Sequence, residues 1–248
     1  MKFQLLSMTL LFATLPMSAV SYAEGGKHWG YEGDNGPAHW AQLSPDYERC
    51  ATGRSQSPVN LTGFGKGKHP ALVIDYQVGG ASIVNNGHTV QVNYLEGSTI
   101  TVGGQTYALK QFHFHAPAEN TIEGHEYPME AHFVHADDEG NLAVVALLYR
   151  AGKQNAELEK AWAHMPEHAG VNHELPAWVN ANELLPRNHA YYRFDGSLTT
   201  PPCTEGVKWF VLAHADTASK EQIERFTKTM HHHNNRPVQP LNARVVTR

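Results

Sequence analysis

Two short segments carry histidines at a spacing that suits metal chemistry. The first reads Gln111-Phe112-His113-Phe114-His115. Successive side chains of a β-strand point to opposite faces, so Gln111, His113 and His115 share one face. The two phenylalanines then face a hydrophobic core. Two imidazoles on one strand face are half of a candidate metal site, although the same pattern is also found on a simple polar strand face.

The second segment, Glu130-Ala131-His132-Phe133-Val134, alternates in the same way. Glu130, His132 and Val134 share one face, and Ala131 and Phe133 share the other. Gly124 and Pro128 lie between the two segments, so a loop can return the second strand beside the first. Pairing of the two polar faces would bring three imidazoles to one place.

Three neutral imidazoles are ligands that favour Zn²⁺ as the bound metal, with one ion per chain. No fourth protein ligand is evident, which leaves a position open for water, as in catalytic zinc sites. The second N–H of a zinc-bound histidine is usually donated to a carboxylate or carbonyl group. Gln111 and Glu130 each precede a histidine by two residues and are placed to accept from His113 and His132.

The chain has 17 histidines, and most of them need no functional explanation. The run His231-His232-His233 lies inside the chain before two asparagines, so it is not a terminal tag. We interpret it as a solvated surface run.

The elements that must position the histidines are mostly short β-strands. Residues 81–84 lead into the turn Asn85-Asn86-Gly87, and residues 90–94 follow with clean alternation, which predicts a hairpin. Thr99–Val102 is a further short strand. Leu142–Tyr149 and Val207–Leu212 are nearly all apolar and read as strands buried on both faces.

Helices are predicted at only two places. Gln154–Met165 carries its apolar residues on one face, and Ser219-Lys220-Glu221-Gln222 matches a capping box before an apolar stripe. The fold class is therefore mainly β (α+β). We predict a single domain built on a large, mainly antiparallel central β-sheet with short peripheral helices.

The N-terminus has the features of a secretory signal peptide. Lys2 is followed by an apolar run over residues 5–15 and by Ser21-Tyr22-Ala23, which predicts cleavage after Ala23. This run is shorter than the roughly 20 apolar residues of a membrane span. We therefore predict a signal peptide over residues 1–23, a catalytic domain over residues 24–248, and a periplasmic or secreted protein with no membrane segment after cleavage.

The charge composition disfavours nucleic acid as a partner, and the cysteines predict a disulfide. The chain has 19 basic and 24 acidic residues, and it contains no basic run of the kind that binds nucleic acid. The two cysteines, Cys50 and Cys203, lie in no short paired motif. In an oxidising compartment a structural disulfide between them is the simplest interpretation.

Several motifs together resemble the alpha-carbonic anhydrase family over nearly the whole mature chain. They are His28-Trp29-Gly30-Tyr31, Asn35-Gly36-Pro37, His39-Trp40, Gln56-Ser57-Pro58-Val59-Asn60, Asn85-Asn86-Gly87-His88, the two histidine segments, Gly196-Ser197-Leu198-Thr199-Thr200-Pro201-Pro202, and Asn235-Arg236-Pro237-Val238-Gln239-Pro240-Leu241.

The resemblance implies the reversible hydration of carbon dioxide to bicarbonate and a proton by a zinc-bound hydroxide. His113, His115 and His132 would bind zinc, and Gln111 and Glu130 would support them. Thr199 would accept a hydrogen bond from the hydroxide and donate one to Glu119. The partners would be carbon dioxide, bicarbonate and water, and the protein would be a monomer or a homodimer.

The same resemblance implies a substrate pocket and a proton path. His88 would relay the proton and titrate near pH 6.5, as an unperturbed histidine does. Tyr31, Asn86 and Gln91 would order the water chain. The alternative is that His88 is a turn residue without a role. The residues expected to line the pocket for carbon dioxide are Val134, Val144, Leu198, Thr200, Val207 and Trp209.

Two positions depart from the family pattern. Asn120 stands where histidine is usual and Phe194 where tyrosine is frequent, which would alter hydrogen bonds around the site.

Two other functions stay open. A secreted zinc- or carbohydrate-binding module without catalysis is disfavoured because all three histidines, Thr199 and Glu119 are present. Another kind of zinc hydrolase would need a free carboxylate base. A zinc hydroxide could also attack activated esters.

Overall fold

The computed structural model describes residues 28–65, 67 and 69–248. The predicted signal peptide, residues 1–23, lies outside these residues. Within them the α-helices are α1 (Trp40–Leu43), α2 (Arg49–Thr52), α3 (Ala156–Trp162) and α4 (Lys220–Met230), with 3₁₀-helices at Gly33–Asn35, Pro45–Tyr47 and Ala181–Leu184. The strands are β1 (Asn60–Leu61), β2 (Val73–Asp75), β3 (Gly80–Asn85), β4 (Val90–Tyr94), β5 (Thr99–Val102), β6 (Gln105–His115), β7 (Thr121–Ile122), β8 (Met129–Ala136), β9 (Leu142–Ala151), β10 (Asn172–Val179), β11 (Tyr191–Ser197), β12 (Glu205–Leu212) and β13 (Asp216–Ala218).

The central sheet has eleven strands, and its main path runs β10-β3-β4-β6-β8-β9-β12-β11. Every neighbouring pair on this path is antiparallel except β9 with β12, and β13 also pairs with β9 in parallel. The small strands β1 and β7 form a separate parallel pair. The predicted fold class, a large and mainly antiparallel sheet with few short helices, is confirmed.

Strand β9 explains how the sheet divides the core. Its residues 143–149 are all buried, as the apolar run predicts. Val145, Leu147 and Tyr149 belong to the cluster that α3 and α4 cover. Val144, Ala146 and Leu148 belong to a second cluster on the opposite face. Both faces of the central strands are therefore covered, and the histidine face of β6 and β8 lies on the side of the second cluster.

The predicted hairpin is present as β3 and β4, joined by a turn in which Gly87 has φ +87°. A residue with a side chain is strained at that φ, which accounts for glycine at this turn position.

Both predicted helices are present, and one of them is shorter than predicted. Helix α4 has the predicted capping box, with Ser219 and Gln222 satisfying each other's backbone N–H groups. Helix α3 is shorter than the predicted Gln154–Met165, because the Asn155 side chain accepts from Glu157 N and Leu158 N and so fixes its start at Ala156. No helix among the described residues combines the length and the apolar character needed to cross a bilayer.

A buried polar pair lies on the helix side of the sheet. The Tyr76 hydroxyl lies 2.7 Å from His135 Nε2, and His135 Nδ1 lies 3.2 Å from the Ala143 carbonyl oxygen. His135 is completely buried. Burial lowers its pKa to about 3, while hydrogen bonds to the Ala143 and Phe133 backbone oppose the shift. The folded protein therefore holds this imidazole in its neutral form.

The buried, neutral His135 predicts that the free energy of unfolding depends on pH. The unfolded chain binds a proton at His135 below about pH 6.5, whereas the folded chain binds it only near pH 3, so this contribution to stability is present above pH 6.5 and is lost as the pH falls. The expected loss is roughly 1.4 kcal/mol per pH unit between these values. Urea unfolding of the wild type and of His135→Gln, at pH 7 and pH 5, measures it. Gln keeps an acceptor for Tyr76 but does not titrate, so its stability should fall less over this range; equal falls would contradict the prediction.

Candidate active site

Strands β6 and β8 bring the three histidines together. The two strands are antiparallel, with His113 opposite His132 and His115 opposite Glu130. One ring nitrogen from each of His113, His115 and His132 lies within 4.8 Å of the others. The alternation in the sequence thus places all three imidazoles on one sheet face, as predicted.

Two of the imidazoles contact the partners expected from the sequence. His113 Nδ1 donates to Gln111 Oε1 at 2.8 Å. His132 Nε2 lies 3.0 Å from Glu130 Oε1. These contacts leave His113 Nε2 and His132 Nδ1 to face the shared space between the rings.

The partner of the third imidazole was not predicted from the sequence. His115 Nδ1 donates to the backbone oxygen of Asn234 at 2.7 Å. The Asn234 side chain accepts from Ala116 N and donates to the Phe114 oxygen, which fixes this segment against the end of β6. Asn234 lies within the C-terminal region of the chain, 119 residues from His115, and no local pattern connects the two.

Asn120, one of the two departures from the family pattern, holds Glu130. Its side-chain Nδ2 donates to Glu130 Oε1 at 2.7 Å, and its backbone N–H donates to Oε2 at 2.8 Å. Glu119 N also donates to Oε2, and Asn120 Oδ1 accepts from Val59 N. Because Asn120 and Glu130 are completely buried, this network fixes the carboxylate beside His132.

The donor set fits a zinc ion. Burial lowers the pKa of His113, His115 and His132, and the neighbouring imidazoles lower that of His113 and His132 further. The rings are therefore neutral and have lone pairs available for a metal. His115 Nε2 is buried and has no hydrogen-bond partner among the described residues, although an orphaned polar atom is costly. A cation bound between the rings would satisfy it.

Glu119 lies beside this group of rings. Its Oε1 accepts from Arg236 N at 2.8 Å, and its Oε2 lies 3.6 Å from His115 Nε2. Burial raises its pKa well above the ordinary value, while Arg236 N and the Thr199 hydroxyl lower it. Oε2 makes no well-formed hydrogen bond within the described part of the chain. The predicted donation from Thr199 to Glu119 stays a prediction.

An apolar wall flanks the histidines. Val144, Val207 and Trp209 are buried in the second hydrophobic cluster, and Val134 and Leu198 pack against it. The ring of Trp209 lies 4.9 Å from that of His132. Five of the six predicted pocket residues are thus contiguous. The sixth, Thr200, lies in the adjoining loop, where its carbonyl accepts from Cys203 N at 2.8 Å.

His88 lies outside the triad and is stacked on Trp29, with ring centroids 3.7 Å apart and an angle of 7° between the planes. His28 stacks on it at 5.6 Å. Burial and the positive fields of His28 and His232 lower the pKa of His88 to about 4. The expectation of titration near pH 6.5 is therefore wrong for His88 in this position, because the surrounding rings remove it from water.

The other predicted proton-path residues lie near these groups. Asn86 Oδ1 accepts from His88 N and Thr89 N, so Asn86 holds the turn that carries His88. Gln91 lies opposite His113 on β4, where its Nε2 donates to Asn93 Oδ1. The pKa of Tyr31 is raised by burial and by the charge of Glu119. Tyr31 therefore lies within the electrostatic influence of the carboxylate beside the histidines.

The predicted disulfide between Cys50 and Cys203 is present, with Cα atoms 5.0 Å apart. It joins α2 to the loop that follows Thr199 and Thr200. The bridge therefore anchors one side of the site, and it agrees with folding in an oxidising compartment.

Comparison with known proteins decides the family. The model of the eukaryotic-type carbonic anhydrase family matches residues 35–248. This chain belongs to the alpha-carbonic anhydrase family. The predicted resemblance is confirmed, and the chain is a carbonic anhydrase enzyme.

Relatives at high identity span almost the whole chain. A carbonic anhydrase of Neisseria gonorrhoeae is 51% identical over 242 residues, which cover 97% of this chain and 95% of the relative. One from Pectobacterium atrosepticum is 49% identical over 224 residues, covering 90% and 92% of the two chains. The structure of the alpha-carbonic anhydrase from Thermovibrio ammonificans with the inhibitor sulfanilamide superimposes with a TM-score of 0.88 at 48% identity, covering 90% of this chain and all of the other.

Proposed function

We propose that this carbonic anhydrase uses one zinc ion to hydrate carbon dioxide reversibly to bicarbonate and a proton, with His88 relaying the proton. The observation that carries the proposal is the group of three imidazole nitrogens within 4.8 Å, set beside an apolar wall. His113, His115 and His132 would hold the zinc ion. When bound, Zn²⁺ supplies a Lewis acid that makes water a sufficiently strong nucleophile near neutral pH.

The residues around the triad have separate tasks in this proposal. Gln111, Asn234 and Glu130 orient the three rings through their second nitrogens. Thr199 orients the attacking oxygen and is itself aligned by Glu119. The wall that includes Val144, Val207 and Trp209 accepts carbon dioxide, which has no net dipole and loses little on leaving water.

Two other functions are less well supported by the site. A binding module without catalysis would not need three neutral imidazoles with one ring nitrogen of each directed at one place. A hydrolase with a carboxylate base would need a free carboxylate at the open position, but Glu130 already accepts three hydrogen bonds and contacts His132. Hydrolysis of activated esters is proposed as a side activity.

The proposal also covers the cellular compartment and the boundaries of the catalytic domain. Residues 1–23 would direct export and be cleaved after Ala23, leaving residues 24–248 as the catalytic domain in the periplasm or outside the cell. The disulfide between Cys50 and Cys203 supports this location. The mature protein would be a monomer or a homodimer.

Stopped-flow carbon dioxide hydration with a pH indicator tests the function. The mature protein should carry one zinc ion per chain by elemental analysis. A chelator should abolish hydration, and added Zn²⁺ should restore it. Full activity in protein shown to contain no metal would contradict the proposed role of zinc.

The proton relay predicts a separation of two kinetic parameters. His88→Ala should lower kcat at least about tenfold in weak buffer, since a positioned acid–base group contributes that much or more. It should leave kcat/KM nearly unchanged, because that parameter reports the steps through bicarbonate release. Burial and the charges of His28 and His232 hold the pKa of His88 near 4, so at pH 7 the ring is neutral, which is the form that accepts a proton.

Thr199→Ala is the matched comparison. Loss of the hydroxyl disturbs the orientation of the attacking oxygen, so kcat/KM should fall, on the order of 100-fold for a misplacement of about 1 Å. Imidazole buffer should restore much of the rate of His88→Ala and none of that of Thr199→Ala. Wild-type kcat in the His88 variant in weak buffer would show that another group relays the proton.

A further inference from the structure

A cavity on the opposite side of the sheet from the histidine triad has a cationic lining. It has a volume of about 190 Å³ and is lined by residues of β5, β6, β11 and β12 and of the loop at His69. Tyr107, Tyr191 and Phe210, which form its walls, belong to the core layer that α3 and α4 cover. None of the described residues lining it is acidic, whereas three carry basic side chains: His69, Arg193 and Lys208.

Lys208 hydrogen-bonds to a tyrosine hydroxyl rather than to a carboxylate of the described residues. Its Nζ donates to the Tyr107 hydroxyl at 2.7 Å and lies 5.4 Å from the centre of that ring. It forms no ion pair within the described part of the chain. An ammonium group carries three donors, so two remain for a ligand or water. Its charge acts on the exposed Asp137, whose carboxylate is already bonded to Asn141.

The Arg193 guanidinium and the His69 ring also line this cavity. The guanidinium of Arg193 lies 5.5 Å from the centre of the Phe210 ring and forms an ion pair with Asp195, in which Nη2 donates to Oδ1 at 2.7 Å. It makes no other hydrogen bond to the described residues. His69 stacks on Tyr191 at 5.2 Å, and its Nε2 is shielded from solvent without a partner in the described chain.

These observations point to an anion as the missing partner. A polar atom that is buried without a hydrogen-bond partner costs free energy of folding. A cation packed against aromatic rings is best compensated by an anion that accepts several hydrogen bonds. Arg193 and Lys208 lie on the same face of the paired strands β11 and β12, and His69 lines the same cavity from a loop, so one bound anion can contact all three. A tetrahedral oxyanion offers more acceptor oxygens to these groups than the two oxygens of a carboxylate.

We propose that the cavity formed by His69, Tyr107, Tyr191, Arg193, Lys208 and Phe210 is a binding site for a small tetrahedral oxyanion such as inorganic phosphate. The site lies on the sheet face opposite the zinc-binding histidines. Binding there is independent of the hydration chemistry, and it cross-links the edge strand β11 to β12 and to the loop at His69.

Amide chemical shifts of the ¹⁵N-labelled zinc enzyme, titrated with inorganic phosphate at constant ionic strength, test this site. Saturable shifts are expected at Tyr107, Arg193 and Lys208. Lys208→Met keeps the apolar stem and removes the charge, so the affinity read from these amides should fall at least about tenfold. Lys220→Met is the matched control, because Lys220 is exposed on α4 and its loss should leave the affinity unchanged.

Local amide shifts separate this site from any phosphate bound at zinc. Hydration activity of Lys208→Met should equal that of the wild type, which shows that the variant is folded. Equal phosphate affinity in Lys208→Met and the wild type would overturn the proposal. So would shifts that never saturate, or saturation by acetate at the same concentrations as phosphate.

Discussion

Replacing His132 by alanine should lower carbon dioxide hydration by far more than 100-fold and remove most of the bound zinc. Loss of an outer partner of a metal ligand already costs about 10- to 100-fold in affinity or activity, and loss of a ligand removes a direct bond. His132 is 2% exposed and contacts both Glu130 and Trp209, so alanine at this position removes a metal ligand and leaves a gap in a packed site. Elemental analysis and stopped-flow hydration of the same sample measure the two losses together.

The control for this substitution is His214→Ala. His214 is exposed and lies outside the group of three histidines. It should keep one zinc per chain and wild-type activity, which separates loss of a ligand from loss of any histidine. Circular dichroism of the His132 variant establishes that it is folded. A folded, zinc-free His132→Ala protein with full activity would overturn the assignment of the metal site.

The features predicted from sequence depend on local periodicity. Alternation at Gln111–His115 and at Glu130–Val134 is sufficient to place His113, His115 and His132 on one face once the strands pair. Continuous apolar character over Leu142–Tyr149 reveals a strand buried on both faces. The capping box at Ser219 marks the start of a helix. Each pattern is read over fewer than ten residues, where side-chain direction follows directly from backbone geometry.

The features that were not predicted depend on contacts between distant segments. Strand β11 and the parallel pairing of β12 with β9 have no local signal. Asn234 meets His115 only after the chain has folded. Burial of His88 and the nearby charges of His28 and His232 lower the pKa of a residue that the sequence gives no reason to treat as perturbed. Burial and long-range partners determine these properties.

The disulfide between Cys50 and Cys203 should contribute a large part of the stability. The bridged cysteines are 153 residues apart, and closure of a loop of that length contributes about 5 kcal/mol in the chain-entropy model. Measured values are often smaller because the reduced, unfolded chain keeps some structure. Urea unfolding of a Cys50→Ser/Cys203→Ser variant against the oxidised wild type should show a lower midpoint of unfolding.

The bridge is also connected to the active site, so the same variant should show a second effect. The Cys50 carbonyl accepts from Arg236 Nη2, the Cys203 carbonyl accepts from Gln56 Nε2, and Arg236 N donates to Glu119. Loosening this network should lower kcat/KM, whereas zinc content should not change because no zinc ligand is touched. The wild type treated with reductant should resemble the serine variant. Two titratable thiols in the oxidised, folded wild type would show that the bridge does not form, and an unchanged unfolding midpoint would show that it does not stabilise the fold.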